Sequence, residues 1–366
     1  MAEKFIHPDA VHGWMVALWQ RAGSSEREAR LTADHLVGAN LAGHDSHGIG
    51  MAPRYVKSHL AGELKLNQTV EVVLDNGPLI TIDARRGMGQ SVTHQAMEIA
   101  IERARTHGVC VMGLRNSHHL GRVGHWAEQA IAAGFASVHF TNAVSTIPMV
   151  APYGGAAARF LTNPFTVGIP RPGAEPIVLD FATSAIAHGK VRVAYNKQKS
   201  DPSSQVPEGS LIDAQGKPTR DPSVMFEPAA GPHGALQTAA AHKGHALAMV
   251  CELLGAALTG GETAQPANRT MQFAIWNNMF AIVFDPDRIG AAERFAQEAR
   301  AFTEWVQSAP LSGATDRIMM PGDPERRARA ERATGLPVDL GTLDELDAAA
   351  ASIDSSLPTL SSLALR

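Results

Sequence analysis

The sequence is poor in cysteine: 366 residues contain two, Cys110 and Cys251, each inside an apolar stretch. Two thiols so placed support no disulfide framework and lead us to expect a reducing, cytoplasmic location. Charge is sparse too, with Asp, Glu, Lys and Arg at 19%, below the roughly 25% of an average soluble domain. Neither sign dominates, since 32 basic against 36 acidic residues leave a net −4. With no Lys/Arg-rich run, this argues against a nucleic-acid partner held by a broad basic surface. No apolar run approaches the roughly 20 residues of a membrane span. The first residues, Met1 to Pro8, lack the basic start and apolar stretch of a signal peptide. No internal repeat is visible.

What is present is a chain that is 45% hydrophobic and able to bury a large core. At about 150 residues per domain its length allows two or three folding units. It also has 16 histidines, several in short clusters. Helical periodicity dominates the start. Asp9 is the expected cap of a helix with Val11, Trp14, Met15, Leu18 and Trp19 on one face, ended by Gly23. Ser25 to Glu28 reads as a capping box, and Gly43 as a left-handed helix end. Pro53 opens a third helix through Tyr55 and Val56. From about residue 69 the period changes to strands at 70–74 and 79–82, followed by a helix over about 90–106. Strand 109–114, helix 126–133 and strands 136–140 and 177–179 come next. A polar excursion spans 197–233, and a helix from about Ala246 carries Leu247, Val250, Cys251, Leu254 and Leu258 on one face, with Gly260-Gly261 as its stop. After strand 280–284 the rest reads as mostly helical. Strands interleaved with helices predict an α/β (mixed α+β) core, a layered mixed sheet flanked by helices from both chain ends.

Five segments are candidates to carry chemistry. Gly87-Met88-Gly89-Gln90-Ser91-Val92 follows a strand and opens a helix, but Val92 replaces the third glycine of a dinucleotide fingerprint and no ribose-binding acid follows the next strand. It reads as an ordinary strand-to-helix turn. His44-Asp45-Ser46-His47-Gly48 packs two imidazoles, a carboxyl and a hydroxyl into one turn. Three readings stay open there: an oriented histidine for proton transfer, a zinc site, or a capped turn. Asn116-Ser117-His118-His119-Leu120-Gly121-Arg122 follows a strand, where open α/β sheets place ligands, and the other reading is a solvated loop. Before the 246 helix, His242-Lys243-Gly244 gathers an ammonium and free N–H groups for an anion, and Pro321-Gly322-Asp323-Pro324 repeats this weakly with Asp323 as cap.

Taken in order, all of these segments but the first, with Thr162-Asn163-Pro164-Phe165 and Leu179-Asp180-Phe181-Ala182, resemble the malate/L-lactate dehydrogenase family that lacks a Rossmann fold. The Gly-His-Asp-Ser-His-Gly-Ile-Gly-Met stretch from Gly43 is most similar to its bacterial hydroxycarboxylate dehydrogenase branch. The resemblance implies an NAD- or NADP-dependent oxidoreductase that interconverts 2-hydroxy and 2-oxo acids by hydride transfer, working as a homodimer without a metal. It implies a helical substrate and dimerisation region, 1–68 with 310–366, around a cofactor domain at 69–309. It assigns proton transfer to His47, paired with Ser46, or to His119. It assigns cofactor contacts to His47, Gly121, Arg122, Val123, Leu179, Asp180, Phe181, Ala182, Lys243, Pro321, Gly322 and Asp323, and places Thr162 at the substrate. One departure concerns specificity: Met51 stands where many members carry a carboxylate-gripping arginine, which leaves Arg54 or Arg122 to take over, or an apolar substrate group to fill the space. The rival readings are a metal-dependent hydrolase using His44, Asp45 and His118 or His119, and a nucleotide-binding regulator without catalysis.

Overall fold

The computed structural model describes residues 3–198, 201–229, 231–290, 292–313 and 315–365; Met1, Ala2 and parts of the 197–233 excursion lie outside them. In chain order the elements are β1 (Glu3–Ile6), α1 (Pro8–Arg21), α2 (Glu26–Leu41), α3 (Ala52–Leu60), β2 (Glu71–Asn76), β3 (Leu79–Asp83), α4 (Gly89–His107), β4 (Val109–His118), α5 (Gly124–Ala132), β5 (Ala136–Val144), β6 (Pro164–Ile169) and β7 (Ile177–Ala182). Then follow α6 (His188–Gln198), β8 (Leu211–Ile212), β9 (Pro218–Thr219), β10 (Ala235–Leu236), α7 (His242–Val250), β11 (Trp276–Phe284), α8 (Ala292–Gln307), α9 (Asp323–Arg332), β12 (Leu336–Asp339) and α10 (Leu340–Ile353). A seven-stranded sheet runs in the order β2-β3-β4-β11-β5-β6-β7. Only β3 and β4 pair in parallel within it, so the sheet is mixed, as expected.

Two large cores flank the seam on which the site is built. The first joins both chain ends: Trp14, Leu18 and Trp19 of α1, Leu36 of α2 and Tyr55 of α3 pack with Val338 of β12 and Leu343 and Leu346 of α10. Strand β1 pairs antiparallel with β12, clamping those ends together. The second core lies between the sheet and α4 and α5, around Ile82, Met97, Met112, Trp126 and Val283. Met88, at the start of α4, belongs to the first core and marks where the two meet.

Several local expectations are corrected. The cap of α1 is His7, which accepts from the Asp9 N–H, because Pro8 takes the first helical position. Ser25 caps α2 as expected, but Glu28 does not complete the box: its carboxylate accepts from the Ser24 hydroxyl and the Asn67 N–H instead. Strand β4 extends through His118, because Trp276 and Asn277 of β11 pair with residues that read as loop. Strands β1, β6 and β12 and helix α6 carried no clear local signal. Asp323 is the first residue of α9 rather than its cap, the cap being Gly322 with φ +96°.

The helix expected from Ala246 starts at His242 and continues as a π-helical stretch, Cys251–Ala257. Its buried face is the small one, Gly244, Ala248, Cys251, Gly255 and Ala256, not the leucine row. A Cβ on Gly255 would stand 2.8 Å from the Phe140 carbonyl oxygen, so close approach to β5 selects the small residues. Leu253 and Leu258 are left facing out, 54% and 62% exposed.

The terminal core gives a direct stability test. Leu346 on α10 is fully buried, so Leu346→Ala should lower unfolding stability by about 2–5 kcal/mol, read as a shift in the urea midpoint. A loss below about 0.5 kcal/mol, the scale of a surface change, would show that α10 does not share this core.

Candidate active site

The turn Asp45–His47 lies between α2 and α3 as one 3₁₀ turn. Asn40 anchors it, its amide nitrogen donating to Asp45 Oδ1 at 2.6 Å and its oxygen accepting from the Ile49 N–H at 2.8 Å. Gly48 is required there, because a Cβ would stand 2.0 Å from Asn40 Oδ1. Ser46 Oγ lies 2.9 Å from His47 Nδ1, leaving Nε2 as the free ring nitrogen. His44 instead pairs with Glu325 at 2.9 Å and Asp45 with Arg332 at 2.7 Å, tying the turn to α9.

His119 follows the end of β4, and its ring stacks on His47 with centroids 5.6 Å apart and planes 26° from parallel. Its Nδ1 lies 2.6 Å from the Tyr55 hydroxyl. Gln90 donates to the His119 carbonyl at 3.1 Å and to the Tyr55 oxygen at 3.3 Å. Gly89 makes room for this, since a Cβ would stand 2.0 Å from the His119 carbonyl oxygen. The Gly87–Val92 segment thus supports the histidine backbone. His118 turns away to Ser58 Oγ at 3.0 Å and packs edge-on against Tyr55.

Burial governs the protonation of this cluster. It pushes His47 down to about 4, partly opposed by the Asp180 charge, although the ring keeps an open edge. It pushes His118 to about 3 and His119 well below the usual histidine range. All three are neutral at pH 7.

Several of the residues expected to contact a cofactor gather around β7. The Asp180 carboxylate on β7 accepts from the Gly124 N–H and the Thr166 hydroxyl, both at 2.8 Å, which brings β7 to the loop 121–123. The Val178 N–H donates to the Pro321 carbonyl at 3.3 Å, bringing Gly322 and Asp323 beside the same strand. Within the loop Gly121 has φ +74°, and a Cβ there would meet His35 Nε2 at 2.1 Å. Leu179 and Ala182 are half-buried on β7, while Phe181 is exposed. Lys243 is exposed at the start of α7, and Gly244 beside it abuts the Thr183 carbonyl. The Thr162 carbonyl accepts from the Thr183 N–H at 2.9 Å.

The two candidate replacements for the arginine missing at Met51 differ. Arg122 is 3% exposed and bonded to Glu128, which also accepts from Arg329, so it faces the loop interior and not a substrate. Its Nη1 is buried with no partner. Arg54 donates through Nε to the Phe273 carbonyl at 2.7 Å and through Nη2 to Ser145 Oγ at 2.9 Å. Met51 packs against Ala143, Leu161 and Ile275.

The expected hydrolase cluster does not assemble. His44 and Asp45 are committed to α9, and among the described residues no three His, Cys, Asp or Glu side chains are grouped to hold a metal ion. Sequence reasoning missed Tyr55 and Gln90. Tyr55 had a signal, as one of only three tyrosines in the chain and one helical turn after Met51.

Residues 6–347 match the family model described as malate/L-lactate dehydrogenase. The chain is 47% identical over 352 residues to hydroxycarboxylate dehydrogenase B of Escherichia coli (strain K12), covering 96% of this chain and 94% of that protein. It is 40% identical over 329 residues to L-lactate dehydrogenase of Cupriavidus necator, covering 89% and 91%. A solved structure from E. coli superposes with a TM-score of 0.91 at 44% identity, covering 98% of each chain.

The buried histidines make stability depend on acid. His118 and His139 hold pKa values of about 3 in the fold against roughly 6.5 unfolded. The unfolded chain therefore binds more protons below pH 6.5, and stability is lost as pH falls from there toward 3. Glu28 and Glu252, raised by burial, work in the opposite direction. The histidines should dominate, lowering stability between pH 6.5 and 5 by roughly 1–4 kcal/mol. Urea unfolding at a series of pH values checks this, and an unchanged midpoint from pH 6.5 to 5 would contradict it.

Proposed function

The chain belongs to the malate/L-lactate dehydrogenase family, and from that premise we propose that it is an NAD- or NADP-dependent oxidoreductase interconverting 2-hydroxy and 2-oxo acids. The observation that carries the reading is the stacked His47–His119 pair, held by Ser46 and Tyr55. The orphaned Nη1 of Arg122 supports an anionic group on the cofactor side, and Gly121 and Gly124 let the 121–124 loop pack closely on His35 and Asp180. His47, Gly121 to Val123, Leu179 to Ala182, Lys243 and Pro321 to Asp323 would hold the cofactor. A bound nicotinamide supplies or accepts the hydride at substrate C2.

The protein's own work is proton handling and positioning. His47, with Nδ1 tied to Ser46, presents Nε2 to the substrate oxygen. In oxidation it is ready as a base, because burial keeps it neutral. In reduction it must first gain a proton, which the Asp180 charge favours. His119, backed by the Tyr55 hydroxyl, stands next to it as a second proton group. Thr162, Met51 and Arg54 form the substrate side. An apolar Met51 leads us to propose tolerance for aromatic or larger 2-oxo acids over strict lactate or malate specificity.

We also propose the division into a helical region, 1–68 with 310–366, around a cofactor domain at 69–309, a division the two cores support. The homodimer proposal is supported by the outward row Met249, Leu253 and Leu258, an apolar face without cover within the chain. Cys110 and Cys251, both free and buried, suit a cytoplasmic location.

Oxidation of NADH and NADPH should be followed against a panel of 2-oxo acids. Turnover with at least one pairing is expected, and none with any pairing would contradict the reading. His47→Ala should keep most of the cofactor affinity, through the contacts that remain, while losing about 10²–10⁴-fold in kcat; near-normal turnover would remove His47 from its role. The wild type should reduce phenylpyruvate better than pyruvate, with Met51→Arg reversing the preference. Comparable rates on both, unchanged in that variant, would count against a specificity role for Met51.

A further inference from the structure

Arg192 lies in the second turn of α6 with its side chain exposed. Among the described residues it has no ion-pair or hydrogen-bond partner. The start of α6 rests on the catalytic turn: a Cβ on Gly189 would stand 2.9 Å from Ser46 Cβ. His188, at the head of the same helix, packs its ring against Phe226.

The charges that reach His188 are of one sign. Burial lowers the His188 pKa to about 4, and the charges of Arg192 and Arg54 add to the effect. Burial also lowers Arg54, with Arg192 contributing. The charge of Arg54 in turn reaches His118 and His119. With Gly189 seated on Ser46 and the neighbouring His47 stacked on His119, α6 and its Arg192 lie beside the histidine pair, in keeping with these charge effects. Glu63, the acid facing Arg54, is committed to the N–H groups of Phe273 and Ala274, at 2.9 and 2.8 Å. Arg54 has Nε and Nη2 occupied by Phe273 and Ser145, and its Nη1 is neither bonded nor buried. Arg192, with no acid of its own, and Arg54, whose facing acid is spent on backbone N–H groups, stand next to a histidine pair that handles protons and make a place for a carboxylate. The planar fork of arginine matches that group, and the partial burial of Arg54 strengthens the attraction on its side.

We propose that Arg192 is the specificity-determining residue of this site, gripping the substrate carboxylate from α6 while Arg54 faces it from α3, in place of the arginine absent at Met51. The proposal rests on reading the site as one for 2-oxo acids. It also explains how Met51 can be apolar: with the carboxylate held from α6, the Met51 wall formed with Ala143, Leu161 and Ile275 is free to meet the rest of the substrate. Specificity is then split between two elements, charge on α6 and bulk on the segment leading into α3.

The test is calorimetric titration of phenylpyruvate, and separately of its neutral amide, into the full-length protein saturated with oxidised cofactor, so that binding is read without turnover. Relative to wild type, Arg192→Ala should weaken phenylpyruvate by about 10-fold or more, as loss of a charge-assisted pair predicts, and leave the amide within about twofold. Arg192→Lys should fall between, since the charge remains and the fork is lost. Equal weakening of acid and amide, phenylpyruvate affinity within twofold of wild type in Arg192→Ala, or no phenylpyruvate binding by wild type would each overturn the proposal. Phenylpyruvate binding through Arg192 by a protein that reduces no 2-oxo acid would instead sink the proposed reaction and keep the grip. Reduction with unchanged KM in Arg192→Ala would do the reverse.

Discussion

The contact on which the site depends is the 2.6 Å hydrogen bond between the Tyr55 hydroxyl and His119 Nδ1. Tyr55 belongs to the core built from both chain ends, and His119 follows the strand at the heart of the sheet. Both groups are buried, so neither can exchange this bond for water, and losing it would leave an unpaired polar atom at the seam. Gln90 adds a third point by bonding to both partners. The position of His119 relative to His47 is thus set by how two separate cores dock. That docking explains how residues far apart in sequence come to stack.

The same dryness that makes the seam rigid keeps its histidines neutral. Burial lowers His47, His118 and His119, and the Asp180 carboxylate is the opposing influence on His47. Asp180 therefore has two tasks: it holds the 121–124 loop against β7 through the Gly124 N–H, and it biases the proton affinity of His47. In the proposed reaction, a residue that sets both loop position and charge would couple cofactor binding to proton transfer.

Much of the fold was legible where local pattern and tertiary packing agree. Helices α1 to α3 follow their apolar periodicity, and β3, β4 and β5 are apolar strands between turn residues. The histidine clusters were legible because they are dense and lie where elements meet. The pairing of β1 with β12 was not: two four-residue strands from opposite chain ends have no local signature, and only the shared core aligns them. Strand β6 was hidden by Pro164 and Gly168, and the buried face of α7 was misread because leucines outweigh glycine and alanine in any sequence pattern. Close approach of the helix to β5 decides otherwise. Tyr55 and Gln90 were invisible for a related reason: a buried tyrosine on a helix reads as core, and a glutamine at a helix start reads as solvent-facing. Their roles exist only once the two cores are docked.

The central claim is that Tyr55 fixes His119 as part of the proton path, and it is tested most directly by Tyr55→Phe, which removes one oxygen and little else. Steady-state reduction of a 2-oxo acid substrate should lose about tenfold or more in kcat, within the range of acid–base contributions, with a changed pH profile and cofactor affinity within twofold of wild type. A wild-type kcat and pH profile in that variant would contradict the account.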